Sequence, residues 1–191
     1  MVYDIEEWID VPPSYAFDRD LDVKIVDLLR ENLEGQVDPE LGVIVAVLEA
    51  SIIGDGVILP PLGDASIYMP VRYRVLAFEP VLLEVVRGIV REAREHGIFV
   101  SLGPIDGFVF KNQIMDEPVE YIPDRRGFRG VETGRMVEVG DKVRARITQI
   151  SRATRRARIL RVGMTMRQPY LGKEEWLEEL KVKAYGVEEG S

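Results

Sequence analysis

Val85-Val86-Arg87-Gly88-Ile89-Val90, His96-Gly97-Ile98-Phe99-Val100-Ser101-Leu102-Gly103-Pro104-Ile105-Asp106-Gly107-Phe108-Val109-Phe110, Val139-Gly140-Asp141-Lys142-Val143-Arg144-Ala145-Arg146-Ile147 and Arg158-Ile159-Leu160-Arg161-Val162-Gly163-Met164-Thr165-Met166 lie within one stretch, Val85 to Met166, that decides the fold. Each is a short apolar run, alternating or continuous, cut by glycine at a bend. Period-two runs of this length, punctuated by glycine, predict strands. About five such strands are the complement of a small Greek-key barrel of the OB type.

The same alternation sorts side chains between the inside and outside of that barrel. If Ile98 and Val100 face the core, Phe99 faces out. Phe108 and Phe110 share one face and Val109 takes the other, although a bend at Gly107 leaves open the burial of one ring. Val143, Ala145 and Ile147 point in, which puts Lys142, Arg144 and Arg146 out together. Arg155, Arg156, Arg158 and Arg161 surround the last hairpin. Small barrels of this type bind single strands by stacking bases on exposed rings and tracking phosphates with cations. The competing expectation for each ring is ordinary packing at a barrel end.

The charge distribution fits that division. The 191-residue chain carries a net charge of −8, which by itself argues against a nucleic-acid binder. Residues 1–80 hold 5 basic and 16 acidic side chains, net −11, whereas residues 81–170 hold 17 and 11, net +6. Residues 171–191 hold 3 and 6, net −3. The positive charge therefore sits on the expected barrel. With no cysteine and one histidine, His96, disulfides, thiolate chemistry and a histidine metal cluster are excluded. No phosphate-binding Gly-rich loop, nucleophile elbow or Asp-rich metal loop is present, so no catalytic residue, metal or cofactor is expected. Met1 to Glu7 lacks the basic and apolar regions of a secretory leader, and no apolar run approaches a membrane span. These features predict a soluble cytoplasmic protein.

Upstream, Asp18 to Leu33 has helical spacing, with Leu21, Ile25, Leu28 and Leu29 on one face, an Asp cap and Gly35 at its end. Val43 to Leu48 is a continuous apolar strand of the kind buried on both faces. Ile67 to Phe78 alternates. Between them, residues 54–64 form a connector longer than a hairpin needs. It carries Gly54, Gly56, Val57, Ile58, Leu59, Pro60 and Leu62. Either it folds back on its own domain or its apolar tip enters a partner. Strand, helix and two strands make a small α+β domain over residues 1–80, ahead of the barrel at residues 81–170. Asp116 to Val137 reads as a long loop interrupting the barrel. Lys173 to Tyr185, within residues 171–191, reads as a C-terminal helix whose Trp176, Leu177 and Leu180 cover a neighbouring surface.

The chain resembles a known family. Gly88 to Val90, Gly97-x-Phe99-Val100, Gly103-x-x-x-Gly107 and Val139-Gly140-Asp141-x-Val143 resemble the S-one RNA-binding domain. Val37-Asp38-x-x-Leu41-Gly42-Val43-Ile44 and Met164-Thr165-Met166-Arg167-Gln168-Pro169-x-Leu171-Gly172-Lys173-x-Glu175-Trp176 extend the resemblance over nearly the whole chain. The family is the E-prime subunit of archaeal DNA-directed RNA polymerase, counterpart of the seventh-largest subunit of eukaryotic RNA polymerase II. The resemblance implies a truncated ribonucleoprotein-like N-terminal domain and a heterodimer with the smaller stalk protein of that polymerase, called F. It also implies docking on the polymerase core through residues 54–64, and single-stranded RNA held on the barrel near the RNA exit path. His96, Phe99 and Phe110 match the aromatic or histidine positions of the RNA face. A basic loop, Arg152 to Arg158, replaces the usual acidic position after the fourth strand. Two other readings share the barrel: a free-standing RNA-binding module of translation or RNA decay, and a protein-interaction scaffold.

Overall fold

The computed structural model describes residues 1–16, 19–58, 67–151 and 160–185. They fall into two compact units, one ending at Glu79 and one beginning at Pro80. No helix among the described residues is long and apolar enough to cross a membrane.

The first unit contains β1 (Val2–Val11), α1 (Pro13–Ala16), α2 (Leu21–Leu33), β2 (Val37–Asp38), β3 (Gly42–Ile52), β4 (Val57–Ile58) and β5 (Ile67–Phe78). Its sheet runs β1-β5-β3-β2, with β4 paired to the start of β5. The alternation of β5 is the organising feature. Ile67, Met69, Val71, Tyr73 and Val75 are buried in one core with Ile25 and Leu29 of α2. On the other face, Arg74 pairs with Asp4 and Glu49, and Arg72 with Glu6. These exposed pairs order the face more than they stabilise it. Burial, then a hydrogen bond from the Tyr73 hydroxyl to Glu7 Oε2 at 2.9 Å, pushes the Tyr73 phenol far up from its ordinary value.

Two expectations are corrected here. The helix begins at Leu21, three residues later than Asp18, and Asp20 holds the cap position without a side-chain capping bond. Strand β3 is not buried on both faces, since Val45 and Leu48 are exposed. The reason is local: α2 lies over one face only, and register shifts between Ile44 and Ala46 and between Val47 and Glu49 insert extra residues into the strand. Such bulges re-aim side chains and leave backbone groups to be satisfied elsewhere. Glu34 Oε1 accepts the Val47 N–H at 2.9 Å.

The second unit contains β6 (Val85–Arg94), β7 (Gly97–Ser101), β8 (Asp106–Phe110), β9 (Val119–Ile122), β10 (Gly127–Gly130), β11 (Met136–Glu138), β12 (Lys142–Ser151), β13 (Arg161–Thr165), β14 (Gly172–Lys173) and α3 (Glu174–Tyr185). Strands β6, β7 and β8 form a meander, β13 joins β8 in parallel, and β12 pairs with both β13 and β6. The ring therefore closes as the five-stranded barrel of an OB fold, which leaves no free edge. Val90, Ile98, Val100, Val109, Val143, Ala145, Ile147, Val162 and Met164 fill it. Trp176 of α3 packs against this core and Leu177 is buried, so the start of the C-terminal helix covers the barrel.

Asp116 to Val137 is more than a loop. It holds the antiparallel sheet β11-β10-β9, and Phe128 and Val137 of that sheet are fully buried in the barrel core. A carboxylate ties its far end. Glu117 accepts the N–H groups of Glu132 at 2.6 Å and Thr133 at 2.9 Å, and also the Thr133 hydroxyl. The Thr133 hydroxyl bond, with the two backbone bonds and Arg135, holds Glu117 below the usual carboxylate range. A depressed carboxylate contributes above its unfolded pKa, and that contribution is lost as pH falls through the folded value. Hydrogen exchange is expected to show reduced protection of the Glu132 and Thr133 amides in Glu117→Ala at neutral pH. Wild type should lose the same protection only on acidification below the ordinary carboxylate range. Equal protection in variant and wild type would remove Glu117 from this role.

Candidate nucleic-acid interface

The outer face of β7 and β8 carries three rings in contact. Ile98 and Val100 are fully buried, so Phe99 between them is forced outward. It pairs across the ladder with Phe108, with ring centroids 4.9 Å apart and planes tilted by 50°. Phe108 meets Phe110 edge-on at 4.7 Å and 80°. Opposite Phe110 stands Gly97. A Cβ there would first clash with the Val109 carbonyl oxygen and then come 2.8 Å from Phe108 Cζ, so glycine accommodates both the close β8 backbone and the Phe108 ring. Phe110 is 59% exposed. A ring of that size left in water forgoes its burial energy at about 25 cal/mol per Å², and the barrel core gives it no packing role.

Arg94 completes the cluster. Its guanidinium carbon lies 5.4 Å from the Phe99 centroid, and Glu92 holds it through bonds of 2.7 and 3.1 Å. That hydrogen bond lowers the Glu92 carboxyl from its usual range and raises Arg94. The outward-face reading of the sequence missed Arg94. The signal was available, because Arg94 pairs with Gly97 across a two-residue turn, which places it at the start of the ring face. His96 lies exposed in that turn, and its carbonyl accepts the Lys111 N–H at 3.0 Å.

The expected cations of β12 do point outward, since Val143, Ala145 and Ile147 are buried between them. The ladder links them to the rings by two routes, through β6 and through β13. Lys142, Arg144 and Arg146 lie opposite Ile89, Arg87 and Val85 of β6, whereas Phe99 lies opposite Glu92. Along β6 each step from Lys142 to Arg146 moves farther from the ring row, but the closed barrel brings Arg146 back toward it, opposite Thr165 of β13, the residue after Met164, which lies opposite Val109 beside Phe110. The cations and Arg87 make a second, basic part of the surface. Arg155 and Arg158 lie outside the described residues.

In the first unit, Gly54 and Gly56 lead into β4, where Val57 and Ile58 are exposed. Gly56 is held close, because a Cβ there would approach Ile67 Cγ2 to 2.9 Å. Leu59, Pro60 and Leu62 lie outside the described residues. Trp8, 56% exposed, adds to this end of the sheet: it pairs with Pro70, and the neighbouring Tyr68 pairs with Val57. Trp8 was passed over in the sequence because β1 reads there as a mixed strand without a clean period.

Comparison with known proteins adds independent findings. Residues 6–63 match the SHS2 domain found in the N terminus of Rpb7p/Rpc25p/MJ0397, and residues 83–161 match the S1 RNA binding domain. The DNA-directed RNA polymerase subunit Rpo7 of Saccharolobus solfataricus is 35% identical over 173 residues, covering 91% of this chain and 94% of its own. Subunit Rpo7 of Sulfolobus acidocaldarius is 32% identical over 176 residues, covering 92% and 93%. The DNA-directed RNA polymerase III subunit RPC8 of Saccharomyces cerevisiae is 28% identical over 147 residues, covering 75% and 68%.

Proposed function

The chain belongs to the family of DNA-directed RNA polymerase subunit Rpo7, and we propose accordingly that it is the non-catalytic stalk subunit of an archaeal polymerase. In this reading it pairs with F, the smaller stalk protein, docks on the polymerase core through residues 54–64, and holds emerging single-stranded RNA on its barrel. The observation that carries the RNA assignment is the contacting cluster of Phe99, Phe108 and Phe110 on the outer face of a closed S1-type barrel. Bases stack on such rings whatever their identity, and Lys142, Arg144 and Arg146 supply phosphate contacts that weaken with salt. The mechanism is contact and bias. RNA held on the barrel favours processivity, and a wedge at the core favours the arrangement suited to promoter opening. Residues 1–80 serve docking, residues 81–170 serve RNA, and α3, within residues 171–191, braces the barrel.

The exposed apolar residues Val57 and Ile58, with Trp8 on the other side of β5 in the same sheet, support docking through this end of the first unit. Deleting residues 54–64 is expected to abolish recovery of the polymerase core with the tagged chain while leaving its RNA affinity within about two-fold. Apolar surface of this kind carries most of the energy of an interface core. Recovery of the core at wild-type yield would place the docking surface elsewhere.

A further inference from the structure

Two arginines that the ring face does not use stand at the turn between β9 and β10. Arg125 and Arg126 are both exposed there. Arg126 has a φ of 49°, in the left-handed region where side chains other than glycine are uncommon. The turn is fixed beside the start of β12. The Arg126 carbonyl accepts the Val139 N–H at 3.2 Å, and the next residue, Gly140, donates to Val90 O of β6 at 2.8 Å. Lys142 follows two residues later. Arg125 and Arg126 therefore continue the outward cations of β12, which extend about 13 Å from Lys142 through Arg144 to Arg146. At its other end the row returns to the rings, because Arg146 lies opposite Thr165 of β13, beside the β8 segment that carries Phe110.

Nothing in the chain neutralises this row. Arg87, Arg129 and Lys173 each have a carboxylate partner, whereas Arg125, Arg126, Lys142, Arg144 and Arg146 have no ion pair among the described residues. The buried Nε of Arg146 has no acceptor either. Asp124 and Glu138 stand nearby and offset part of the charge. Neither β6, β12 nor the β9–β10 turn contains an aromatic residue, so bases have nothing to stack on along this side. A row of unpaired cations without rings suits the phosphates of a strand and is blind to its bases.

From this placement we propose that the RNA site has a second segment. The bound strand leaves Phe110, crosses β13 to Arg146, and runs along β12 to the Arg125-Arg126 turn, held there by its phosphates alone. The inference rests on the RNA reading above and extends it to residues outside the barrel strands. Two strand spacings separate β8 from β12 through β13, about 9–10 Å, a gap that a flexible single strand bridges. Short RNAs are held by the rings, and only longer ones reach the turn.

The test uses the full-length chain and fluorescein-labelled oligouridines of six and twenty-four residues, followed by anisotropy over a range of salt. For wild type, the plot of log affinity against log salt should be steeper for the longer strand by about 2 or more, at about 0.7 per phosphate contact. The triple variant Arg125→Gln, Arg126→Gln, Lys142→Gln should lower the slope for the longer strand by about 2 and leave affinity for the shorter one within about two-fold. Thermal melting checks that the variant folds. An unchanged slope for the longer strand in the folded variant, or an equal loss for both lengths, would overturn the second segment and leave the ring site standing. If the folded variant instead loses retention of an acidic polyglutamate peptide and keeps its RNA slope, the row is a protein-binding surface and the proposal fails. Absence of wild-type binding to both RNAs would overturn the RNA reading as well.

Discussion

The double variant Phe99→Ala, Phe110→Ala is expected to bind single-stranded RNA about 30-fold more weakly than wild type, or worse, while remaining folded. Each stacked base is worth roughly 1–3 kcal/mol, and two rings removed together account for that loss. The salt dependence should persist, because it comes from counterions released at phosphates and the cations of β12 are untouched. The fold should tolerate the change. Phe110 is mostly in water and Phe99 points away from the barrel core, so the main structural loss is their contacts with Phe108. Aromatic pairs of this kind contribute about 0.5–1.5 kcal/mol each. Unchanged affinity with an intact melting transition would sink the stacking assignment.

The second large effect concerns stability. Asp141 lies in the Gly140-Asp141 turn that enters β12. Its Oδ2 accepts the Glu138 N–H at 2.8 Å, and its Oδ1 pairs with Lys173 Nζ of β14 at 2.9 Å. Both side chains are only 14% exposed, and Glu175 adds a second partner to Lys173 at 3.0 Å. Burial works to lower the Lys173 ammonium, and the hydrogen bonds to Asp141 and Glu175 outweigh it, leaving Lys173 raised from its ordinary value. Asp141→Ala strands that ammonium and a backbone donor. Breaking one side of a buried pair costs about 3–5 kcal/mol. Because Glu175 remains, we expect about 2–4 kcal/mol and a fall in melting temperature of about 10 °C or more. Asp141→Asn keeps the backbone bond and should lose less. The sign with pH follows from the raised lysine: the contribution is complete below its unfolded pKa, about 10.4, and disappears as pH rises through the folded value. A loss under about 0.5 kcal/mol would show that water screens the pair.

The barrel was legible because its strands alternate cleanly. Val143, Ala145 and Ile147 announce a wet and a dry face, and Ile98 with Val100 fixes Phe99 outside. The sheet β9 to β11 was not legible, because strands of three or four residues split by Pro118, Pro123, Gly127 and Gly134 carry too few periods to read. Its buried Phe128 looks in sequence like any aromatic in a loop. The exposure of Val45 and Leu48 was equally hidden, since a bulge leaves no compositional trace and a continuous apolar run hides which face is uncovered. The candidate site was half legible. Alternation says which residues point out of a barrel, but only register says which of them are neighbours. Hence alternation marks the rings and the β12 cations as outward, and only the ladder adds Arg94 to the rings and singles out Arg146 as the β12 cation that the β13 side brings toward them.

The measurement that bears most directly on the central claim is recovery of partners with the tagged full-length chain from native archaeal extract, at moderate and then high salt, with nuclease present. The polymerase core and one small additional protein are expected to remain bound in both conditions despite nuclease. Recovery of ribosomal or RNA-decay proteins in their place, lost once nuclease is added, would contradict it.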